Sequence, residues 1–221
     1  MNLYDLFIKP YENYTTSKIA LESAGTVFGI LSVYFSVKKN IWVYPTGIIS
    51  TVIYVYILFN SGLLGDCLIN IYYTAMSIYG WILWSRHSED QIHVEVEFAD
   101  RKAWISSAIL FLISAILVMV VYYFKPFIDN HFSAEGINLG LYHLDWGNWL
   151  DIFTTSVFLV GMWLMAKRRV ENWYFWIIGD LICIPMMLHR ELGITSVQYL
   201  VFTFMAINGL IVWQKNLKQQ I

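Results

Sequence analysis

The run that decides the fold is AWISSAILFLISAILVMVVYYF, residues 103–124, which contains no charged side chain. A helix rises about 1.5 Å per residue, so about 20 apolar residues cross the hydrocarbon core of a bilayer. Six further apolar blocks flank this run, three on each side: residues 19–37, 42–60, 64–84, 149–166, 173–188 and 194–213. The sequence therefore predicts an all-α integral membrane protein with seven transmembrane helices.

Composition supports this prediction. The chain has 221 residues, of which 58% are hydrophobic and 14% charged, and its mean hydropathy is +0.55. Soluble domains carry about 25% charged residues. A membrane barrel would show segments of about ten residues that alternate between apolar and polar side chains, and the blocks do not alternate. Helices are expected because an isolated strand in lipid leaves its backbone groups unpaired.

The blocks before the run 103–124 can be aligned with the blocks after it at one constant difference in residue number, without a gap. The identities at this shift are Gly29 and Gly161, Asn40 and Asn172, Gly47 and Gly179, Leu68 and Leu200, and Trp81 and Trp213. Residues 19–84 and 149–213 are therefore predicted to be two three-helix repeats. A single helix joins them, so the first helices of both repeats cross the membrane in the same direction. This gives a 3+1+3 arrangement of parallel repeats, a design that often holds a substrate between its halves.

The remaining segments and the charge distribution predict an orientation. We expect residues 1–18 to be an N-terminal interfacial segment, residues 85–148 a linker that contains the helix 103–124, and residues 214–221 a cytoplasmic tail. With the N-terminus outside and the C-terminus cytoplasmic, most Lys and Arg residues lie on the cytoplasmic side, as the positive-inside rule requires. These residues are Lys38, Lys39, Arg86, Arg101, Lys102, Lys167, Arg168, Arg169, Lys215 and Lys218.

The clearest candidate site is the stretch ENWYFWIIGD, residues 171–180. On a helix, Trp173, Trp176 and Asp180 share one face, because residues three and four apart are neighbours. An ionisable group at this depth costs about 3 kcal/mol, so it usually faces a cavity and marks a functional site. The alternative is an aromatic belt at the membrane interface with a buried acid that pairs with a neighbouring helix.

Polar side chains on three other blocks are predicted to complete the site. They are Asp66, Asn70 and Tyr73 on the third block, Asp151 and Thr155 on the fifth, and Gln198, Tyr199 and Asn208 on the seventh. The stripe on the third block could instead form hydrogen bonds between helices, and Asp151 could cap its own helix. Aromatic faces bind a flat, cationic ring, and amides and carboxylates bind a ribose or an amide. The combination predicts a small polar aromatic metabolite such as a nucleoside or a vitamin.

Other chemistry finds little support in the sequence. His93, Glu95 and Glu97 lack the spacing of a structural zinc site, so no metal is expected. The phosphate-binding motif of nucleotide hydrolases does not occur, and no set of Ser, His and Asp suggests catalysis. We therefore expect neither an enzyme nor a cofactor, and no nucleic-acid partner. Pro185, deep in the sixth block, is either a hinge or a static kink.

Three stretches resemble the PnuC family of vitamin transporters. They are Glu171-Asn172-Trp173-x-x-Trp176 after a basic pair, Ile78-Tyr79-Gly80-Trp81-x-x-Trp84-Ser85-Arg86, and Tyr199…Phe202…Ala206-x-Asn208-Gly209. The resemblance extends over about residues 22–213. It implies a 3+1+3 fold related to SWEET transporters but full-length, commonly a homotrimer, in the lipid of a bacterial inner membrane.

The resemblance also implies a function. The substrate would be nicotinamide riboside, a form of vitamin B3 used in NAD biosynthesis, which crosses by facilitated diffusion. A cytoplasmic riboside kinase would then trap it by phosphorylation. Trp173 and Trp176 would flank the nicotinamide ring, and Asp180, Gln198 and Asn208 would contact the amide or the ribose.

Several alternatives stay open at this point. Members of the same family carry thiamine or riboflavin. A proton-coupled transporter would use Asp66 or Asp180 as its proton site. A membrane enzyme acting on the riboside or on a lipid would modify its ligand, and a vitamin-binding component would need a partner ATPase to transport.

Overall fold

The computed structural model describes residues 4, 12, 15–60, 64–86, 93, 95–130, 132, 133, 135–189 and 193–220, with the backbone alone at 64–66, 193, 219 and 220. The regular structure in these ranges is helical. The helices are α1 Thr16–Val37, α2 Val43–Asn60, α3 Leu64–Ser85, α4 Arg101–Tyr123, α5 Lys125–Asp129, α6 Trp146–Ala166, α7 Asn172–His189 and α8 Gly193–Gln220.

Five of these helices are long and apolar enough to cross a membrane: α1, α2, α4, α6 and the part Ile194–Lys218 of α8. Helices α3 and α7, with 22 and 18 residues, are not among the five. Each carries polar side chains in its interior, Asn70 and Ser77 in α3 and Asp180 in α7. The all-α, multi-pass membrane architecture predicted from the sequence is thus confirmed, while the count of seven spans stays a prediction.

The helix starts are set by polar caps. The side chain of Asp100 accepts a hydrogen bond from the Ala103 N–H at 2.7 Å and begins α4. Asp145 and Asn148 form a reciprocal capping box, with bonds of 2.8 and 3.0 Å, that begins α6 ahead of the predicted apolar block. Each cap satisfies N–H groups that have no partner within the helix. At the other end of the chain α8 continues through most of the predicted tail, to Gln220.

The turn from α1 to α2 has the same structure as the turn from α6 to α7. Lys39 and Arg168 adopt left-handed backbone conformations, with φ of 56° and 61°. The next N–H groups, of Asn40 and Arg169, bond at 2.9 Å to the carbonyls of Phe35 and Leu164, respectively. Both turns are therefore Schellman motifs, which end a helix by satisfying its last carbonyls.

These turns correct the shift predicted from the identities. Lys39 corresponds to Arg168, and Asn40 corresponds to Arg169 rather than to Asn172. Helices α1, α2 and α3 form one helix triplet, and α6, α7 and α8 form the other. We call the difference in residue number between Lys39 and Arg168 the turn shift, and two residues separated by this difference are equivalent positions of the two helix triplets. The matches of Gly47 with Gly179 and of Trp81 with Trp213 are therefore wrong. These identical residues fell opposite each other by chance, because Gly and Trp occur often in these apolar helices.

Contacts between the two triplets are made by residues that correspond to each other under the turn shift. The indole N–H of Trp84 donates to the carbonyl of Met165 at 3.3 Å, and that of Trp213 donates to the carbonyl of Ser36 at 3.0 Å. The hydroxyl of Ser36 also donates to the sulfur of Met165 at 3.4 Å. The C-terminal ends of α1 and α6 therefore lie side by side.

Four aromatic side chains, which we call the aromatic floor, fill the space between these ends: Tyr44, Trp84, Trp173 and Trp213. Tyr44 meets Trp84 edge-to-face with 5.1 Å between ring centroids, and Trp173 meets Trp213 in the same way at 5.4 Å. All four are buried. Such pairs add about 0.5–1.5 kcal/mol beyond their buried area. The floor is thus the packed junction of the two triplets.

Two glycines make room for the floor. A Cβ on Gly80 would lie 2.5 Å from the hydroxyl oxygen of Tyr44, and a Cβ on Gly209 would lie 2.5 Å from the indole of Trp173. Gly80 and Gly209 are again equivalent under the turn shift. Both positions require glycine because a ring lies against the backbone.

Candidate functional site

A cavity of about 280 Å³ lies between the two helix triplets. Helices α1, α2 and α3 line it on one side and α6, α7 and α8 on the other, while α4 does not contribute. Its volume is close to the lower end of the range of small-molecule sites, about 300 Å³. One end of the cavity is the aromatic floor, since Trp173, Val43 and Met165 belong both to its lining and to the packed core there.

The structure brings together most of the side chains that the sequence pointed to. The predicted residues that line the cavity are Asn70 and Tyr73 from α3, Trp173, Trp176 and Asp180 from α7, and Gln198 and Tyr199 from α8. They come from both triplets. Their convergence follows from the packing of α3 against α6 and of α7 against α8.

The other predicted residues lie elsewhere. Asn208 is on an exposed face of α8, away from the lining residues Phe202 and Ala206. Thr155 is buried but does not line the cavity. Asp151 accepts a hydrogen bond from the hydroxyl of Tyr122 at 2.6 Å, which joins α6 to α4.

Asp66 falls outside the described side chains, although its backbone is in α3. The wall that α6 contributes consists of Phe158, Met162 and Met165. These residues have the spacing of four and three expected of one helix face.

Three aromatic rings from different helices form a row along this wall. Phe158 stacks on Trp176, with ring centroids 5.5 Å apart and planes at 28°, and on Tyr199, at 6.3 Å and 7°. A Cβ on Gly179 would overlap the ring of Phe158. Gly179 therefore lets the ring lie against α7 beside Trp176. Sequence reasoning missed Phe158, because an aromatic among Met and Leu at helical spacing has the pattern of an ordinary core residue.

The two tryptophans of the ENWYFW stretch have different surroundings. Trp173 is buried in the aromatic floor, packed against Trp213 and Gly209. Its indole N–H has no hydrogen-bond partner among the described residues. Trp176 is half-buried and presents its ring to the cavity beside Phe158. Trp176 is therefore the better placed of the two to stack on a ligand.

Asp180 supplies an acidic side chain to the lining of the cavity. Its side chain is 4% exposed and lies near Tyr73 and Tyr199. In the part of the chain that the structure describes, no hydrogen bond or ion pair holds its carboxylate, and no Lys, Arg or His lines the cavity. A buried carboxylate is costly without a partner. The cavity is therefore complementary to a cation or to a strong hydrogen-bond donor.

Small and hydroxyl-bearing side chains form the opposite wall. The hydroxyl of Thr26 lies 2.9 Å from that of Tyr54, and the hydroxyl of Ser50 donates to the carbonyl of Gly25 at 2.7 Å. Ser32 in turn donates to the carbonyl of Val43 at 2.8 Å. Sequence reasoning did not include these residues in the site. The available signal was the stripe Gly25, Gly29, Ser32 and Ser36, whose small-residue spacing lets helices approach closely.

Known proteins similar to this chain are transporters. The model of a family described as nicotinamide mononucleotide transporters matches residues 19–215. The nicotinamide riboside transporter PnuC of Escherichia coli is 26% identical over 213 residues, 90% of this chain and 87% of that protein. The one of Neisseria mucosa is 27% identical over 207 residues, 90% of this chain and 73% of that protein.

Two further similarities extend this set. The riboflavin/roseoflavin transporter RibM of Streptomyces davaonensis is 21% identical over 197 residues, 87% of this chain and 83% of that protein. The crystal structure of the vitamin B3 transporter PnuC superposes with a TM-score of 0.67 at 22% identity. That match covers 98% of this chain and 90% of the other, so the two share a fold.

Proposed function

Since this chain belongs to the nicotinamide mononucleotide transporter family, we propose that it transports nicotinamide riboside across a membrane. Its relatives in Escherichia coli and Neisseria mucosa are nicotinamide riboside transporters. The observation that carries the proposal is the buried, unpartnered carboxylate of Asp180 beside a row of aromatic rings in the described part of the chain. The nicotinamide ring of the riboside is flat and carries a positive charge, so it matches both features.

The charge of the cavity favours the riboside over the mononucleotide. The mononucleotide adds a phosphate, which carries about −1.5 to −2 charges at neutral pH. Phosphates in proteins are bound by Arg, Lys or clustered backbone N–H groups. The described lining of the cavity offers Asp180 and no cation. A phosphate here would be both unpaired and repelled.

Riboflavin is the second candidate because RibM is a relative. Its three-ring system is larger than the single ring of nicotinamide and carries no positive charge. A cavity of about 280 Å³ with a buried carboxylate fits the smaller, cationic ring better. We therefore rank riboflavin below the riboside, while thiamine, whose thiazolium ring is also cationic, stays an alternative substrate.

The proposed architecture has seven spans in a 3+1+3 arrangement of parallel repeats, like a full-length SWEET transporter. The equivalent turns at Lys39 and Arg168, and the contact between Ser36 and Met165, support two triplets of the same orientation. The repeats would be residues 19–84 and 149–213, joined by α4. The basic turns would face the cytoplasm, with the N-terminus outside.

The proposed mechanism is alternating access with facilitated diffusion across a bacterial inner membrane. A cytoplasmic kinase would phosphorylate the riboside and so prevent its return, because the cavity rejects a phosphate. The family resemblance further suggests a homotrimer. If Asp180 or Asp66 instead carried a proton, uptake into proteoliposomes would depend on a pH gradient, which facilitated diffusion does not require.

Calorimetry on the purified protein tests the substrate. Nicotinamide riboside should bind, and the mononucleotide should bind at least about tenfold more weakly, or about 1.4 kcal/mol. The Trp176→Ala substitution should abolish riboside binding. The Trp81→Ala substitution, at an exposed tryptophan of α3, should leave riboside binding unchanged. Equal affinity for riboside and mononucleotide would overturn the proposal.

A further inference from the structure

A segment of the linker between the two triplets crosses both of the equivalent turns. His93 forms an antiparallel bridge with Asn40, and Glu97 forms a parallel bridge with Arg169. The N–H of Glu97 donates to the carbonyl of Arg168, and the N–H of Val170 donates to the carbonyl of Glu97, both at 3.0 Å. Asn40 and Arg169 are the matching positions of the two turns. One segment thus pairs with the same place in each triplet.

Charged groups reinforce this pairing on the second triplet. The carboxylate of Glu97 accepts hydrogen bonds from both Arg168, at 3.1 Å, and Arg169, at 2.8 Å. The same two guanidinium groups also donate to the carbonyls of Glu95, at 2.9 Å, and Phe98, at 2.7 Å. Networks of charge-assisted bonds of this kind hold more strongly than isolated surface pairs.

The segment is also anchored by packing. Val96 is 3% exposed and belongs to the core cluster that contains the aromatic floor. Its side chain therefore packs into the same core as the aromatic floor. We call residues 93 and 95–99 the strap.

The aromatic floor and its surroundings contain polar atoms that the closed form does not satisfy. Among the described residues, the hydroxyl of Tyr44, the side-chain oxygen of Asn172 and the indole N–H of Trp173 are buried without a partner, as are the Nε atoms of Arg168 and Arg169 in the adjoining turn. Buried polar groups without a partner raise the free energy of the state that holds them. Opening the floor to water or to a polar substrate would relieve this cost, so the closed floor needs an opposing stabilisation.

We propose that the strap supplies this stabilisation, and that Glu97 is the positioning residue that holds the floor closed. The strap links both triplets through backbone pairs, and its charged contacts fix it to the turn of the second triplet. Separation of the triplets at this end requires the strap to leave at least one turn. The inference deepens the proposed transport function and rests on it, because the floor lies between the cavity and the basic turns.

Thiol labelling tests the strap without any substrate. The two native cysteines, Cys67 and Cys183, are replaced, and Ser77, which lines the cavity, is changed to Cys as a reporter. A membrane-impermeant maleimide is added on the side of the basic turns, and a Lys215→Cys variant identifies that side. Glu97→Ala should raise the labelling rate of the reporter about tenfold.

Two controls separate a gate from a loss of fold. Glu95→Ala removes the same charge from the strap but keeps the backbone carbonyl that Arg168 uses, so the labelling rate should stay within about twofold of the parent. A reporter at Ser114, buried between α4 and its neighbours, should stay unlabelled in Glu97→Ala. The charge-exchanged pair Glu97→Arg with Arg169→Glu should restore slow labelling of the Ser77 reporter.

Either of two results would overturn the inference. The Ser77 reporter could be labelled equally fast with and without Glu97, which would mean that the strap does not hold the floor. The Ser114 reporter could be labelled faster as well, which would mean that the strap supports the whole fold. Both results leave the riboside binding test untouched, so failure of the inference is distinguishable from failure of the proposed substrate.

Discussion

At the scale of single residues, the chemistry of the cavity depends on the charge of Asp180. Tyr73 and Tyr199 lie near this side chain, and the described lining offers no cation to neutralise it. A cationic ligand that enters would supply the missing partner. Asp180 therefore contributes to affinity through its charge, while Trp176 and Phe158 contribute through their rings.

The charge of Asp180 can be tested apart from its shape. Asp180→Asn keeps nearly the same volume and should weaken riboside binding about tenfold or more, about 1.4 kcal/mol, in calorimetry. The reduced riboside, whose ring is uncharged, serves as the matched ligand, and its affinity should fall much less in the Asp180→Asn variant. An equal loss for both ligands would assign Asp180 a structural role instead.

At the scale of elements, the helix ends were harder to predict than the helices. The apolar run 103–124 corresponds to α4, Arg101–Tyr123, but α6 begins before its apolar block, at the capping box of Asp145 and Asn148. Hydropathy detects where lipid contact begins. A helix begins where its first N–H groups find acceptors, and those acceptors are polar.

The two Schellman turns give a prediction about stability. Lys39→Gly should increase the free energy of unfolding by about 0.5–1 kcal/mol and so raise the unfolding temperature, because glycine adopts positive φ without a steric cost. Arg168→Gly relieves the same strain but loses the bonds to Glu95 and Glu97, so it should be less stable than Lys39→Gly. Thermal unfolding in detergent measures both. Equal gains would show that the contacts of Arg168 contribute nothing to stability.

At the scale of the whole molecule, the two triplets meet through a pair of reciprocal bonds. Trp84 donates to the end of α6, and Trp213 donates to the end of α1. Because the two bonds are equivalent under the turn shift, neither triplet alone holds the junction. The strap crosses the same junction and pairs with the turn of each triplet.

The reciprocal bonds can be tested by conservative changes. Trp84→Phe and Trp213→Phe keep a ring in the floor and remove one N–H donor each, so each should destabilise the protein by about 1 kcal/mol or more. Thermal unfolding is the measurement. Trp81→Phe, at an exposed tryptophan one turn from Trp84, is the control and should change little. No loss in either floor variant would mean that packing alone holds the triplets together.

The sequence determined the class of fold and a large part of the cavity. Apolar blocks of bilayer length identify membrane helices without further information, because lipid imposes that length. Asp180, Gln198, Asn70 and Tyr73 stood out because polar groups are conspicuous in such blocks. These four polar residues can be recognised from the sequence alone, and all four line the cavity.

Tertiary structure alone decided the rest. It set the turn shift between the triplets, placed Phe158 between Trp176 and Tyr199, and put Asn208 on an exposed face. Which face of an apolar helix meets lipid and which meets protein depends on its neighbours. Apolar residues on the two faces look alike in a sequence, because lipid and a protein core favour the same side chains.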